Sequence, residues 1–166
     1  MSEAPVTIAE QLQSAMRLAP ATVAVVTAHS KGDVNGLTAT SFCSVSMDPP
    51  SMLVCVNQDS RTHALITESK VFCVNLLRSD QTGIANAFSS SKSGEEKIDA
   101  ANTTIRDIDG LPVLDEASAN MVCELVHAHD FGTHTVFIGT VSSVSVADDA
   151  KPLLYGLQSY GSFSKS

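Results

Sequence analysis

Between Asn35 and Pro50 the chain reads NGLTATSFCSVSMDPP, in which Thr38, Thr40, Ser41, Ser44 and Ser46 all carry short hydroxyls. They are interleaved with Leu37, Ala39, Phe42, Cys43 and Val45, so a strand starting at Asn35 gains a polar face without Lys or Glu. Small side chains let a flat ligand come close to the backbone. Hydroxyls and main-chain N–H groups can then hydrogen-bond its carbonyls or a phosphate. The same composition also suits cross-strand hydroxyl contacts in an ordinary Ser/Thr-rich strand.

Three other features could do chemistry. Ser60 stands where it can cap a short helix through Arg61, Thr62, His63, Ala64 and Leu65, and a capped helix N-terminus favours an anion. His127, His129 and His134 form H-x-H-x4-H, and on a strand the first two share a face, as in a metal site of a small β-barrel; exposed hairpin-end histidines give the same pattern. His134 differs because it opens the run HTVFIGTV beside Gly132, where a side chain can reach into a barrel mouth. Cys43, Cys55, Cys73 and Cys123 form no C-x-x-C pair and lie in strand-like runs, which fits small buried apolar residues better than zinc or redox ligands. G-x-G-x-x-G, the P-loop and G-x-S-x-G are all missing, so a nucleotide-type ligand must be held by hydroxyls, main-chain groups and scattered cations.

The elements that position these residues can be read in order. Thr7 and Glu10 have capping-box spacing, and apolar residues at helical intervals run from Ile8 to Ala19 before Pro20. Ala21 to Ala28 is a β-branched strand, and Ser30 to Asp33 turns it into the Asn35 strand. Met52 to Asn57 and Val71 to Leu77 are further strands, with helix from Asp80 to Phe88 and a loop from Ser89 to Gly94. Thr103 to Pro112 reads as strand plus turn. Ala119 to His129 and Thr133 to Val146 form a long pair around Asp130-Phe131-Gly132. Asp148-Asp149 turns the chain into Leu153-Leu154-Tyr155, and the tail GLQSYGSFSKS reads as loosely held. The expectation is about seven strands and three short helices in a closed or split antiparallel barrel, a mainly β fold.

Composition narrows the partners. The 166 residues suit one domain over 1–166, and 43% hydrophobic with 17% charged residues is globular. A net charge of -8 with no basic stripe argues against nucleic acid. The N-terminus lacks a basic and apolar leader, and no run approaches a membrane span, which places the protein in the cytoplasm and off the membrane.

Taken together, the A-T-V-A-V-V-T strand, GLTATSFCSVSMDPP, LVCVNQDSRTHALI, FCVNLL, GLPVL and GTHTVFIGTV resemble, in this order, the flavin reductase-like family of FMN-binding split barrels. That family supplies reductase components of two-component flavin-dependent monooxygenases, including aromatic-degrading ones. The resemblance spans Met16 to Tyr155 and implies a homodimeric NAD(P)H:flavin oxidoreductase that reduces FMN or FAD with NADH or NADPH and supplies a separate oxygenase. It implies ring and ribityl contacts from Thr38, Ala39, Thr40, Ser41, Val54, Cys55 and Val56, with Leu37 and Tyr155 in the same set. Ser60, Arg61 and Thr62 would hold the phosphate end, Phe88 and the Ser89 to Lys92 loop would close over the remainder, and His134 would sit by the nicotinamide. Where such proteins carry a basic, aromatic ending, this chain has GLQSYGSFSKS. A flavin carrier or redox sensor without turnover is the rival on the same barrel, and a metal-binding β-barrel using the histidines is the third reading.

Overall fold

The computed structural model describes residues 6–148 and 150–164. Helix α1 (Ile8–Met16) starts at the expected capping box, in which the Thr7 hydroxyl accepts from Glu10 N–H and the Glu10 carboxylate accepts from Thr7 N–H. Pro20 then leads into β1 (Ala21–Thr22) and β2 (Ala24–Ser30). Lys31 and Gly32, both at positive φ, make the two-residue turn into β3 (Asp33–Ala39), the backbone hand that matches strand twist. The hydroxyl stretch was expected as one strand; it breaks at Thr40-Ser41, and β4 (Phe42–Met47) runs on from this corner. A turn at Asp48-Pro49, with a cis peptide bond, brings in β5 (Pro50–Asn57).

Ser60 caps α2 (Arg61–Ser69), and β6 (Val71–Leu76) follows. Next come α3 (Thr82–Phe88) and α4 (Gly94–Ala101), then the ribbon β7 (Ile105–Ile108) and β8 (Leu111–Leu114). The long pair is β9 (Ala119–Phe131) with β10 (His134–Val146), and the chain closes with β11 (Leu153–Gly156) and β12 (Ser159–Ser162).

Seven strands form one antiparallel sheet in the order β3-β2-β6-β9-β10-β5-β4. Its two edge strands, β3 and β4, are consecutive in the chain and only two residues apart, so the sheet must curl until its edges approach at the Thr40-Ser41 corner. That is a split barrel. Leu65 and Ile66 of α2 are buried with Val26, Val54, Phe72 and Phe137 in the main core cluster. A second cluster joins Val23, Val25 and Leu77 to Ile84, Ala85 and Phe88 of α3. β2 is therefore covered on both faces, which is why ATVAVVTA is nearly continuously apolar instead of alternating.

Several expectations are corrected. The described residues contain twelve strands and four helices, against about seven and three. The loop expected up to Gly94 ends earlier, because Ser93 and Glu96 form a second capping box that starts α4. Phe131 belongs to β9, and the turn is Gly132-Thr133. The tail is not loose as far as Ser162: β12 pairs with β11 through a turn in which Leu157 and Gln158 take positive φ. Of the expected Asp148-Asp149 turn, Asp149 lies outside the described residues, as do Met1 to Pro5 and the last two residues of the tail. No helix among the described residues is long and apolar enough to cross a membrane.

Candidate active site

The hydroxyl corner is held from behind by close packing. An added Cβ on Gly36 would lie 2.8 Å from Phe88 Cε1 and 3.1 Å from Thr27 Cγ2, so β3 and α3 approach at a distance only glycine permits. Lys97 of α4, 7% exposed, donates to Gly36 O at 2.9 Å and to Asn35 Oδ1 at 3.1 Å. Both acceptors are neutral, and burial pushes the pKa of this ammonium down. One residue beyond Leu37, the Thr38 hydroxyl donates to Ala85 O at 2.6 Å. Three helical contacts thus fix the strand immediately before Thr40.

Two cavities meet at this corner. One of 320 Å³ is lined by Val23, Thr38, Ala39, Thr40, Ser89, Tyr155 and Tyr160. The other, of 590 Å³, is lined by Thr40, Ser41 and Tyr155 together with Met16 and Arg17 from the end of α1 and Leu157 and Gln158 from the β11–β12 turn. Thr40 and Tyr155 border both, and each volume falls in the range of small-molecule sites. The Tyr155 ring meets Tyr160 edge-on at 5.3 Å. Tyr160 donates to Asn86 Oδ1 at 3.2 Å, and burial, followed by the neighbouring Tyr155, raises its phenol pKa and keeps it a donor.

The end of β5 gathers the remaining candidates. The Ser41 hydroxyl donates to Cys55 O at 3.0 Å, and Cys55 N–H donates to Ser41 O at 2.9 Å. Two residues on, about 7 Å along the strand, the Ser60 hydroxyl donates to Asn57 O at 2.8 Å and accepts from His63 N–H at 3.1 Å. Asn57 also pairs with His134 across β5–β10, and Gln58 Nε2 donates to His134 O at 3.3 Å. Ser41, the N-terminus of α2 and His134 therefore stand around one strand end. His134 is exposed, with its Nδ1 2.9 Å from Thr133 Oγ1.

Other candidates are placed differently. Val54 and Val56 are 0% and 1% exposed and point into the core, leaving only main chain to offer, whereas Cys55 points the other way and is half-buried. Burial raises the Cys55 thiol pKa, with Cys43 adding to it. Leu37 packs half-buried against the main core, and Thr62 is buried. Phe88 is 2% exposed beneath Gly36, so it supports the wall; it is not a cover. Ser89 lines the smaller cavity, while Lys92 is exposed in the link from α3 to α4. The Arg61 guanidinium is engaged by Asp33, with Nε 2.6 Å from Oδ2. His127 and His129 are exposed on β9, and no group of three metal-ligating side chains forms among the described residues.

Tyr160, Asn86, Arg17 and Lys97 were not among the sequence candidates. Only Tyr160 had a local signal, an aromatic in the tail five residues after Tyr155; the others reach the site through contacts distant in sequence.

Residues 16–164 match the family model described as flavin reductase like domain. The chain is 42% identical over 154 residues to the reductase component of an FADH(2)-dependent resorcinol hydroxylase from Rhizobium sp. (strain MTP-10005), covering 92% of this chain and 86% of that one. It is 32% identical to the FMN reductase (NADH) RutF of Stutzerimonas stutzeri (strain A1501), covering 98% and 92%. The solved NADH:FAD oxidoreductase SgcE6 of Streptomyces globisporus C-1027 superposes with a TM-score of 0.88 at 26% identity, covering 99% of each chain.

Proposed function

From the premise that this chain belongs to the flavin reductase-like family, we propose that it is an NAD(P)H:flavin oxidoreductase that reduces FMN or FAD and supplies reduced flavin to a separate monooxygenase. The observation that carries this reading is the pair of cavities joined at Thr40 and Tyr155, a slot of hydroxyls, main chain and tyrosine rings that the end of β5 links, through Ser41 and Asn57, to the capped N-terminus of α2. Its residues fit a flavin. Small side chains at Ala39, Thr40 and Ser41 leave room for a planar ring system, and main-chain N–H groups there offer donors for charge developing at a ring carbonyl.

Bound flavin would supply the acceptor for a hydride from NAD(P)H. The protein's part is to bind and orient. Ser60 and the first turn of α2 would hold a phosphate, which can draw on Arg61 only in competition with Asp33. Val54 and Val56 would contribute main chain alone. Ser89 would border the ring, and the exposed Lys92 would reach toward the outer part of the ligand. His134 would orient the nicotinamide, since hydride transfer takes no proton from it.

A homodimer is part of the same proposal. None of the nine residues of α1 is buried, and its apolar stripe leaves Ile8, Leu12 and Met16 79%, 61% and 59% exposed. A helix this short is marginal without packing, so a second copy that covers the stripe would account for it. Leu12→Glu should convert the dimer to monomer in sedimentation; a wild-type protein that sediments only as monomer at micromolar concentration would count against it. Residues 1–166 acting as one domain, and a cytoplasmic location, complete the reading; the four free cysteines are in keeping with a reducing compartment.

The test is steady-state oxidation of NADH and NADPH by the purified protein with added FMN or FAD. Flavin-dependent turnover is the expected outcome. Tight flavin binding without turnover would instead identify a carrier or sensor.

A further inference from the structure

The tip of the β9–β10 hairpin, which carries His134, is not held by apolar packing. From Val126 to His134 every residue is exposed, including Val126 at 55% and Phe131 at 79%. The next residue, Thr135, is 1% exposed, and its hydroxyl lies 2.5 Å from Asp130 Oδ1 and 2.8 Å from His63 Nε2. The direction of these bonds follows from chemistry. An ionised carboxylate can only accept, so the Thr135 hydrogen points to Asp130; its oxygen must then accept, and His63 carries its ring proton on Nε2. The His63 ring rests on buried Phe137 at 5.0 Å, and its main-chain N–H is bonded to Ser60 Oγ.

One chain of contacts therefore runs from Ser60 at the head of α2, through His63 and Thr135, to Asp130 beside the turn that precedes His134. We propose that Thr135, with His63 and Asp130, is a positioning residue for the reductase reaction: it fixes the distance between the phosphate-binding end of α2 and the nicotinamide-facing His134. The inference rests on the flavin reductase reading. Among the described residues, the His134 ring itself is met only by the exposed Thr133 hydroxyl, and Gln58 adds two bonds to main chain, at Thr133 O and His134 O; the Thr135 hydroxyl is the buried polar contact next to it on β10. Removing the Thr135 hydroxyl leaves the two ligand ends and their shared main-chain link through Asn57 in place but loosens the side-chain half of their spacing, and misplacement of one group in a two-ligand site acts on the rate of transfer.

The test is anaerobic single-turnover reduction of bound FMN by saturating NADH. Thr135→Val should slow reduction on the order of tenfold with the FMN Kd changed less than about twofold, and Thr135→Ser should recover most of the rate. Because the valine variant leaves Asp130 and His63 without this partner, which costs stability, the half-buried His63 end is tested in parallel. His63→Leu should slow reduction, and His63→Gln, whose amide keeps a donor, should recover it. Equal rates for wild type, Thr135→Val and His63→Leu would overturn the proposal, as would serine and glutamine variants no better than valine and leucine. If wild-type protein itself fails to reduce FMN, the flavin reductase reading fails instead.

Discussion

The two sides of the candidate site are built by different means. Behind Thr38 to Ser41 the wall is packed: Gly36 admits no side chain against Phe88, Lys97 closes on Gly36 O, and Thr38 is bonded to α3. The β9–β10 tip with His134 is instead exposed and held by strand pairing and a few directed side-chain hydrogen bonds. A packed wall has one position and loses stability when cut, whereas a tethered tip can lose its position while the fold stays intact. Damage to the wall should therefore appear in stability and flavin affinity together; damage to the tip should appear in kinetics.

The contrast is sharpest at Phe88. Phe88→Ala should cost about 3–5 kcal/mol of stability, because it empties a filled site between α3 and β3. Urea unfolding measures this, and a loss below about 1 kcal/mol would mean that the wall is not packed as described. Gly94→Ala should cost about 2–4 kcal/mol, since a methyl there overlaps the Val34 carbonyl that α4 rests on. Thermal melts would show it as a drop in Tm, without change in the helix capping at Ser93.

Arg61→Ala is expected to weaken FMN by about 1–2 kcal/mol, a small loss because its guanidinium is already shared with Asp33. Riboflavin, without the phosphate, should bind both forms alike in a fluorescence titration. Asp33→Asn, by releasing Arg61, should tighten FMN and leave riboflavin unaffected.

The smallest effect is at Lys97. Burial lowers its pKa in the folded protein below its unfolded value, so the unfolded chain binds the proton more tightly. Its contribution to stability then rises with pH through the folded pKa and levels off above the unfolded one. Between neutral pH and pH about 10, wild type should gain stability relative to Lys97→Met, which has no such proton. A parallel pH dependence of both proteins would contradict the assignment.

What could be read in the sequence was local. Thr7 with Glu10, Ser60 before Arg61, and Lys31-Gly32 announce their caps and turn within four residues, and all three stand where expected. Helix α4 was hidden because Ser93-Gly94 reads as loop; glycine is a poor helix former, and its presence there answers to Val34, sixty positions away. β12 was hidden because its turn uses Leu157 and Gln158 at positive φ, where Asn-Gly would have been recognised. The break at Thr40-Ser41 has neither Gly nor Pro to mark it. The hydroxyl stretch, Tyr155 and His134 were legible as candidates, but what surrounds them was not: the Lys97 clamp, the Tyr160–Asn86 bond and the His63–Thr135 contact depend on strand register and helix docking.

The most direct test of a packed flavin wall facing a tethered nicotinamide side is His134→Ala, with FMN Kd and anaerobic flavin reduction measured on the same preparations. The account predicts that wild-type FMN is bleached by NADH at a rate that saturates, and that the variant needs more NADH or transfers more slowly while binding FMN as before. Unchanged reduction at every NADH concentration would remove His134 from the site. A fall in FMN affinity matching the fall in rate would show that the two sides are not separate.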